Sequence, residues 1–255
     1  MESKYNPVNR AVTDRDVTFV LNRYGLSVTC MDVALFQNAF VHRSYRGQNA
    51  VDIPAGCVPL QGADYERLEN LGDSVAHLVV TDYLHERYPD ESEAFISQLR
   101  MKIVSGVVLA ELAFAVGLQR WVLLSAQAEA DRARERPCVA EDVFEAFVAA
   151  VFRTYGYPGA KAWVVGVVQE HLDLSSLIFS LRCSKDRLVR FCADRFGYRP
   201  NIKTTSACGV WTCKVRDNEG EEIGSGEADN ARQAELEACQ LAWDALVRGQ
   251  SVSVP

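Results

Sequence analysis

No stretch of this 255-residue sequence is apolar for anything near the roughly 20 residues that a helix needs to cross a bilayer, so no membrane span is expected. Behind the opening Met1-Glu2-Ser3-Lys4-Tyr5-Asn6-Pro7 there is no hydrophobic core of a signal peptide. The eight cysteines, at 30, 57, 138, 183, 192, 208, 213 and 239, include no Cys-x-x-Cys pair. Their scatter suits neither a zinc site nor a small disulfide scaffold and reads as reduced thiols in an intracellular, cytoplasmic protein. Cys192 and Cys239 fall in apolar stripes and are expected as core packing. Internal repeats and low-complexity tracts are absent as well.

Positive charge is also short. Lys and Arg number 27 against 34 Asp and Glu, a formal charge of −7, whereas nucleic-acid binders commonly carry a basic surplus. From residue 180 onward the two signs balance at 11 each, so residues 1–179 carry the deficit, 16 basic against 23 acidic. Composition alone does not suggest RNA. An acidic excess is, however, what a carboxylate cluster built around a divalent cation would add.

What is present is mostly helical periodicity. Residues 14–24 carry apolar residues at helical spacing and stop at Gly25, a C′ glycine. A short helix is predicted at 31–41, then a loop over 46–64, where three Gly and two Pro gather. A long amphipathic helix follows at 65–88, its stripe formed by Leu68, Leu71, Val75, Leu78 and Val79 and its end set by Pro89. Further helices are predicted at 92–104, 106–116, 139–156 and 158–179, with 125–137 as a surface loop or exposed turn. From Ser184 the texture changes to helix (185–196), three short strands (202–206, 210–215, 222–227) and helix (231–247). Turn signals stand at Cys208-Gly209 and Asn218-Glu219-Gly220. Gly224-Ser225-Gly226 reads as a hairpin or bulge and not a phosphate loop, because no helix follows it directly.

Carboxylates recur on the long helix. Glu66, Glu69 and Asp73 stand at steps of three and four, sharing one face at about 100° per residue. Asp142 and Glu145 repeat the device on a second helix beside Val139, Val143, Phe147 and Val151. Such faces are either solvated or hold a cation. Two helices packed face to face could bring Glu69, Asp73, Asp142 and Glu145 together, an oxygen donor set that suits Mg²⁺. That ion favours phosphodiester hydrolysis by activating water and stabilising charge on the phosphate and the leaving oxygen.

The run Glu66-Arg67-Leu68-Glu69-Asn70-Leu71-Gly72-Asp73-Ser74-Val75 resembles the ribonuclease III signature ERLEFLGDSV, departing only at Asn70, where a Phe is usual. Ala39-Phe40-Val41-His42-Arg43-Ser44-Tyr45 resembles the family's AL-T-HRSY segment. Ala140-Glu141-Asp142-Val143-Phe144-Glu145-Ala146 resembles the start of its LADxxEALIGAxx helix, and Tyr88-Pro89-Asp90 with Leu99-Arg100 its FPD and LR stretch. The resemblance implies an all-helical nuclease domain over 12–175, with metal ligands Glu69, Asp73, Asp142 and Glu145, Asp73 and Glu145 being catalytic. It adds Glu66 and Glu93 as supporting acids, Mg²⁺ as cofactor with Mn²⁺ as substitute, and a homodimer cutting double-stranded RNA to 5′-phosphates and short 3′ overhangs. Gly72 is expected where another backbone packs closely, and the usual aromatic at position 70 packs into a partner subunit.

Residues 183–248 resemble a double-stranded-RNA-binding domain of α-β-β-β-α order. Two features depart: Ala231-Arg232 stands where two basic residues are usual, and Ala207-Cys208-Gly209 replaces a Gly-Pro-x-His loop. Lys185, Arg187 and Arg232 are the candidate RNA contacts, and such domains read A-form geometry rather than sequence. A compact member with diverged motifs fits a virus-encoded enzyme as well as a cellular one. The alternative is a non-catalytic RNA-binding relative, although such relatives generally lose the carboxylates. His42 and Ser44, lacking a Gly-x-Ser-x-Gly context, read as packing or capping residues, and His77, four residues after Asp73, as a helix-surface histidine or a residue that orients Asp73 from behind the metal.

Overall fold

The computed structural model describes residues 4–48, 53–182, 185–207 and 209–250. The chain divides into two compact units, Met1–Asp173 and Leu174–Pro255. Cys183, Cys208, the centre of the 46–64 loop and the first residues of the 183–248 range lie outside the described residues.

The first unit is helical, with no extended strand among its described residues. Thr13 opens α1 (Asp14–Arg23) with a capping box to Asp16, and Gly25 follows its end at φ 95°. The second helix, α2 (Val33–Asn38), is shorter than predicted: Asp32 caps it late, and the chain then turns extended at Val41 to bridge Leu123. Next come α3 (Glu66–Arg87), α4 (Glu93–Ile103) and α5 (Gly106–Val116). Ser92 caps α4 by accepting from the Phe95 N–H. Of the expected α3 stripe, Leu68, Val75 and Val79 are buried but Leu78 is 55% exposed. Gly72 and Ala76 take inward positions instead, because α3 packs so closely on its neighbour that small residues face the contact.

Residues 125–137 also differ from expectation. They include a short α6 (Ala126–Ala130), and Arg134 points inward. Its guanidinium donates to the carbonyls of Gln119 and Val122 at 2.9 and 2.7 Å and pairs with Glu129. Unsatisfied loop carbonyls need such a donor when water is excluded.

The two helices predicted at 139–156 and 158–179 meet in one run, α7 (Pro137–His171), broken at Gly156 (φ 67°, ψ −171°) just before Pro158. After the break, Trp163 joins Phe36, Phe144 and Phe147 in a buried aromatic cluster, Phe147 and Trp163 lying 4.8 Å apart between centroids. Each such ring contributes on the order of 1.5–3 kcal/mol by burial. The broad contact of α3 with α7 is the axis of the unit.

The second unit begins with α8 (Leu174–Arg182), then α9 (Lys185–Phe196), strands β1 (Asn201–Ala207), β2 (Val210–Arg216) and β3 (Glu222–Ala228), and α10 (Ala231–Gln250). The sheet is antiparallel in the order β1-β2-β3. Its core holds Leu188, Cys192, Cys213, Val215, Ala234, Ala238, Cys239 and Ala242, so Cys192 and Cys239 are packing residues as expected. Of the expected hairpin or bulge, the bulge is what the strand holds: Gly224 and Gly226 lie inside β3, next to a register shift at Val215/Arg216. A Cβ on Gly226 would come within 2.6 Å of the Ala234 carbonyl oxygen, and one on Gly224 within 2.4 Å of that of Ala238.

Candidate active site

The crossing of α3 and α7 is set by one contact. A Cβ on Gly72 would stand 1.8 Å from the carbonyl oxygen of Glu145, so only glycine lets the two backbones meet there. Residues flanking that contact are therefore neighbours: Glu69 and Asp73 on α3, and Glu141, Asp142 and Glu145 on α7. The four predicted ligands thus gather at one crossing.

Glu145 is the innermost. It is 7% exposed, and no hydrogen bond or ion pair reaches its carboxylate among the described residues. Burial, then the charges of Asp73, Glu141, Glu69 and Asp142, push its carboxyl up to about 8. Glu69 is raised by burial and by Asp142, Glu66, Glu141 and Asp73. Asp142 is raised by burial against the Tyr65 hydroxyl, which donates to its Oδ2 at 3.0 Å, and against the charge of Arg43. The phenol itself is held far above its ordinary range by burial and by Asp142, so it stays a donor. Asp73 is half-exposed at the edge, with His77 Nε2 3.4 Å from its Oδ1.

Glu66 joins the cluster, its charge acting on Glu69 and Asp142. Glu93 does not: it is exposed at the first turn of α4, and its charge is not among the main ones shifting Glu69, Asp142 and Glu145. Two members escaped the sequence reading. Glu141 stands where the LAD motif has Ala, and its carboxylate, raised by burial and by Asp142, lies over Gly106 at the start of α5. Its step of four to Glu145 was the available signal. Tyr65, directly before the signature, offered none, since a helix-entry tyrosine is usually a packing residue.

Whether this set fits Mg²⁺ turns on the donors. All are carboxylate oxygens, and the buried Glu145 has only other carboxylates for charged neighbours, so the cluster lacks a cation and suits a hard one. The oxygens do not yet meet at one point, since no three His, Cys, Asp or Glu side chains among the described residues stand in ligating geometry. The chemistry of the donor set fits, and rotation of exposed acids such as Asp73 is what remains.

Beside the cluster opens a cleft of about 560 Å³, lined by Glu66, Glu69, Asn70 and Asp142 and also by Arg43 and Arg136. Asn70 is exposed on its rim. His42 is a capping residue, as expected: Nδ1 accepts from the Ser44 N–H and lies 2.8 Å from the Ser44 hydroxyl. Burial and the charges of Arg43 and Arg136 hold its imidazole below the ordinary range.

In the second unit, Lys185 is drawn into an ion pair with Glu235 at 2.8 Å. Arg187 stacks 3.7 Å over the Trp243 ring. Arg232 is exposed in the first turn of α10, which Asn230 caps by accepting from the Gln233 N–H.

A family model described as ribonuclease-III-like matches residues 32–171. The ribonuclease 3 of Borreliella burgdorferi is 30% identical over 225 residues, covering 87% of this chain and 88% of that protein. A probable ribonuclease 3 of Acanthamoeba polyphaga mimivirus is 29% identical, covering 70% of this chain but 33% of the viral protein. Among solved structures, the nuclease domain of ribonuclease III from Campylobacter jejuni shares the fold with a TM-score of 0.51 at 24% identity, covering 61% of this chain and 96% of that domain. No helix among the described residues is long and apolar enough to cross a membrane. A glycine-pinned crossing dense in carboxylates, the signature run around it and these matches place the chain in the ribonuclease III family of endoribonucleases.

Proposed function

We propose that the protein cleaves double-stranded RNA in a Mg²⁺-dependent reaction, leaving 5′-phosphates and short 3′ overhangs, with Mn²⁺ an acceptable substitute. Glu69, Asp73, Asp142 and Glu145 hold the metal, Asp73 and Glu145 being the catalytic pair and Glu66 a supporting acid. When bound, the ion supplies Lewis-acid stabilisation of the charge that develops on the phosphoryl group. The observation that carries this reading is Glu145, a buried carboxylate facing only other carboxylates. Its carboxyl, pushed up to about 8, keeps a proton near neutrality, so cation binding there releases one. The Tyr65 hydroxyl orients Asp142 by its hydrogen bond, and the Gly72 contact keeps the acids of α3 and α7 in register.

The enzyme acts as a homodimer, each subunit's site cutting one strand. In support, the consecutive helices α3, α4 and α5 each leave a large apolar residue exposed: Leu78, Met101 and Val107. The nuclease domain spans 12–175. Residues 183–248 act as a double-stranded-RNA-binding domain through Arg232, with Lys185 and Arg187 contributing only as far as RNA competes for their present contacts.

The test is incubation of the protein with a labelled long RNA duplex, with Mg²⁺ or with EDTA. Discrete short duplexes formed with metal alone, and absent for Glu145→Gln, are expected. Retained binding without cleavage would move the chain to the non-catalytic relatives.

A further inference from the structure

The His42-Arg43-Ser44-Tyr45 segment has no task in the chemistry above, yet it is held with unusual thoroughness. The His42 N–H donates to the Leu123 carbonyl, the Ser44 hydroxyl accepts from the Ser125 N–H at 3.0 Å, and the Tyr65 N–H donates to the Val41 carbonyl at 2.9 Å. His42 caps the 3₁₀ turn that follows it, and the Tyr45 side chain is fully buried, its hydroxyl donating to the Val58 carbonyl. Every side chain of the segment is spent on fixing the turn except one. The Arg43 carbonyl closes the turn by accepting from the Arg46 N–H, but its side chain is exposed, lines the cleft, and makes no hydrogen bond or ion pair among the described residues.

Arg136 lines the same cleft from the entrance to α7. One of its nitrogens donates to the Asp131 carbonyl at 3.0 Å, which braces the guanidinium and leaves its other donors unused. Both arginines are close enough to act on His42, and Arg43 on Asp142 as well. The cleft therefore joins carboxylates to two guanidinium groups that those carboxylates do not neutralise, within a unit rich in acid overall. A duplex approaching such a unit needs local positive charge where its backbone meets the acids.

We infer that Arg43 and Arg136 are the phosphate-binding groups of this cleft, holding the RNA backbone beside the metal-binding acids. The inference rests on the reading of the chain as an RNA endonuclease. The clasp made by His42, Ser44 and Tyr45 then has a purpose: it presents Arg43 from a rigid turn, so that little backbone entropy is lost when a phosphate is bound.

The full-length protein is titrated with labelled RNA duplex in EDTA, where no cleavage occurs, across a range of salt concentrations. Arg43→Ala and Arg136→Ala should each weaken binding roughly tenfold and lower the slope of log affinity against log salt by about 1. Arg43→Lys should restore the slope but only part of the affinity, because a point charge lacks the planar fork. Arg15→Ala, the same charge change on an exposed part of α1, should alter neither. Wild-type affinity and slope in the two alanine variants, or equal losses in Arg15→Ala, would overturn the inference. An error in the metal assignment would leave these titrations untouched and would show instead as cleavage by Glu145→Gln.

Discussion

Two places in this chain press glycine against the backbone of a helix, and they put the same contact to opposite uses. In the second unit, Gly224 and Gly226 of β3 touch α10 at Ala234, Ala238 and Ala242, with the Cβ of Glu237 beside Gly226, and the core they face is apolar. In the first, Gly72 of α3 touches α7 at Glu145, and the flanking positions are acidic. Close approach is common to both, while the flanking residues decide whether it yields inert packing or stored electrostatic repulsion. The first contact spends stability on a function, and the second simply holds a sheet to a helix.

That contrast can be broken most severely at Glu145. Replacing it by Gln should abolish metal-dependent cleavage, yet raise the thermal midpoint in EDTA, since a buried carboxylate with no cation is lost. A fall in that midpoint would mean that the carboxylate stabilises the crossing. Next comes Gly72→Ala, which drives a methyl group into the Glu145 carbonyl and should cost about 3 kcal/mol or more in chemical denaturation. Gly226→Ala should be comparably costly, but only for melting of the second unit, followed by Trp211 and Trp243 fluorescence. A smaller effect is expected at Tyr65→Phe. Without the hydroxyl on Asp142, the Mg²⁺ needed for half-maximal thermal stabilisation should rise roughly 10-fold to 100-fold, and an unchanged requirement would reduce Tyr65 to packing.

The mildest test is pH. Glu145 titrates higher in the folded chain, at about 8, than it would unfolded, so the folded state binds the extra proton. Stability in EDTA should be greatest below the unfolded value, near 4.5, and should decline as pH rises toward about 8. Glu145→Gln should flatten that decline, which differential scanning fluorimetry would follow. A wild-type profile that rises over this window would show that the carboxylate is compensated by a neighbour.

The clustered acids were legible because helical spacing is periodic, so positions 69, 73, 142 and 145 fall on two helix faces that a crossing can bring together, and the family signature marks the same four. The close contact at Gly72 was legible only through the resemblance of the signature run, since periodicity by itself does not tell a packing glycine from any other. Leu78 was misread because period alone cannot say how wide an apolar stripe is, and a glycine-close contact narrows it. Arg134 was invisible as a buried group: its partners are carbonyls of residues 119 and 122, and backbone acceptors leave no trace in side-chain patterns. Lys185 and Arg187 looked available as cations, but Glu235 and Trp243 lie some 50 residues later in sequence and meet them only through the fold.

Far from the crossing, Lys161 on α7 reaches back to Asp82 and Glu86 near the other end of α3, at 2.8 and 2.6 Å, and Tyr157 bonds the same Asp82. Two rods joined at a single point can scissor, whereas two rods riveted at both ends cannot. Because α7 breaks at Gly156, the Gly72 contact pins its first segment to α3 and the Lys161 ion pairs tie its second segment to the far end of α3. A cation bound at the crossing, as proposed, would then be met by side-chain torsions within a backbone spacing that the Gly72 contact sets.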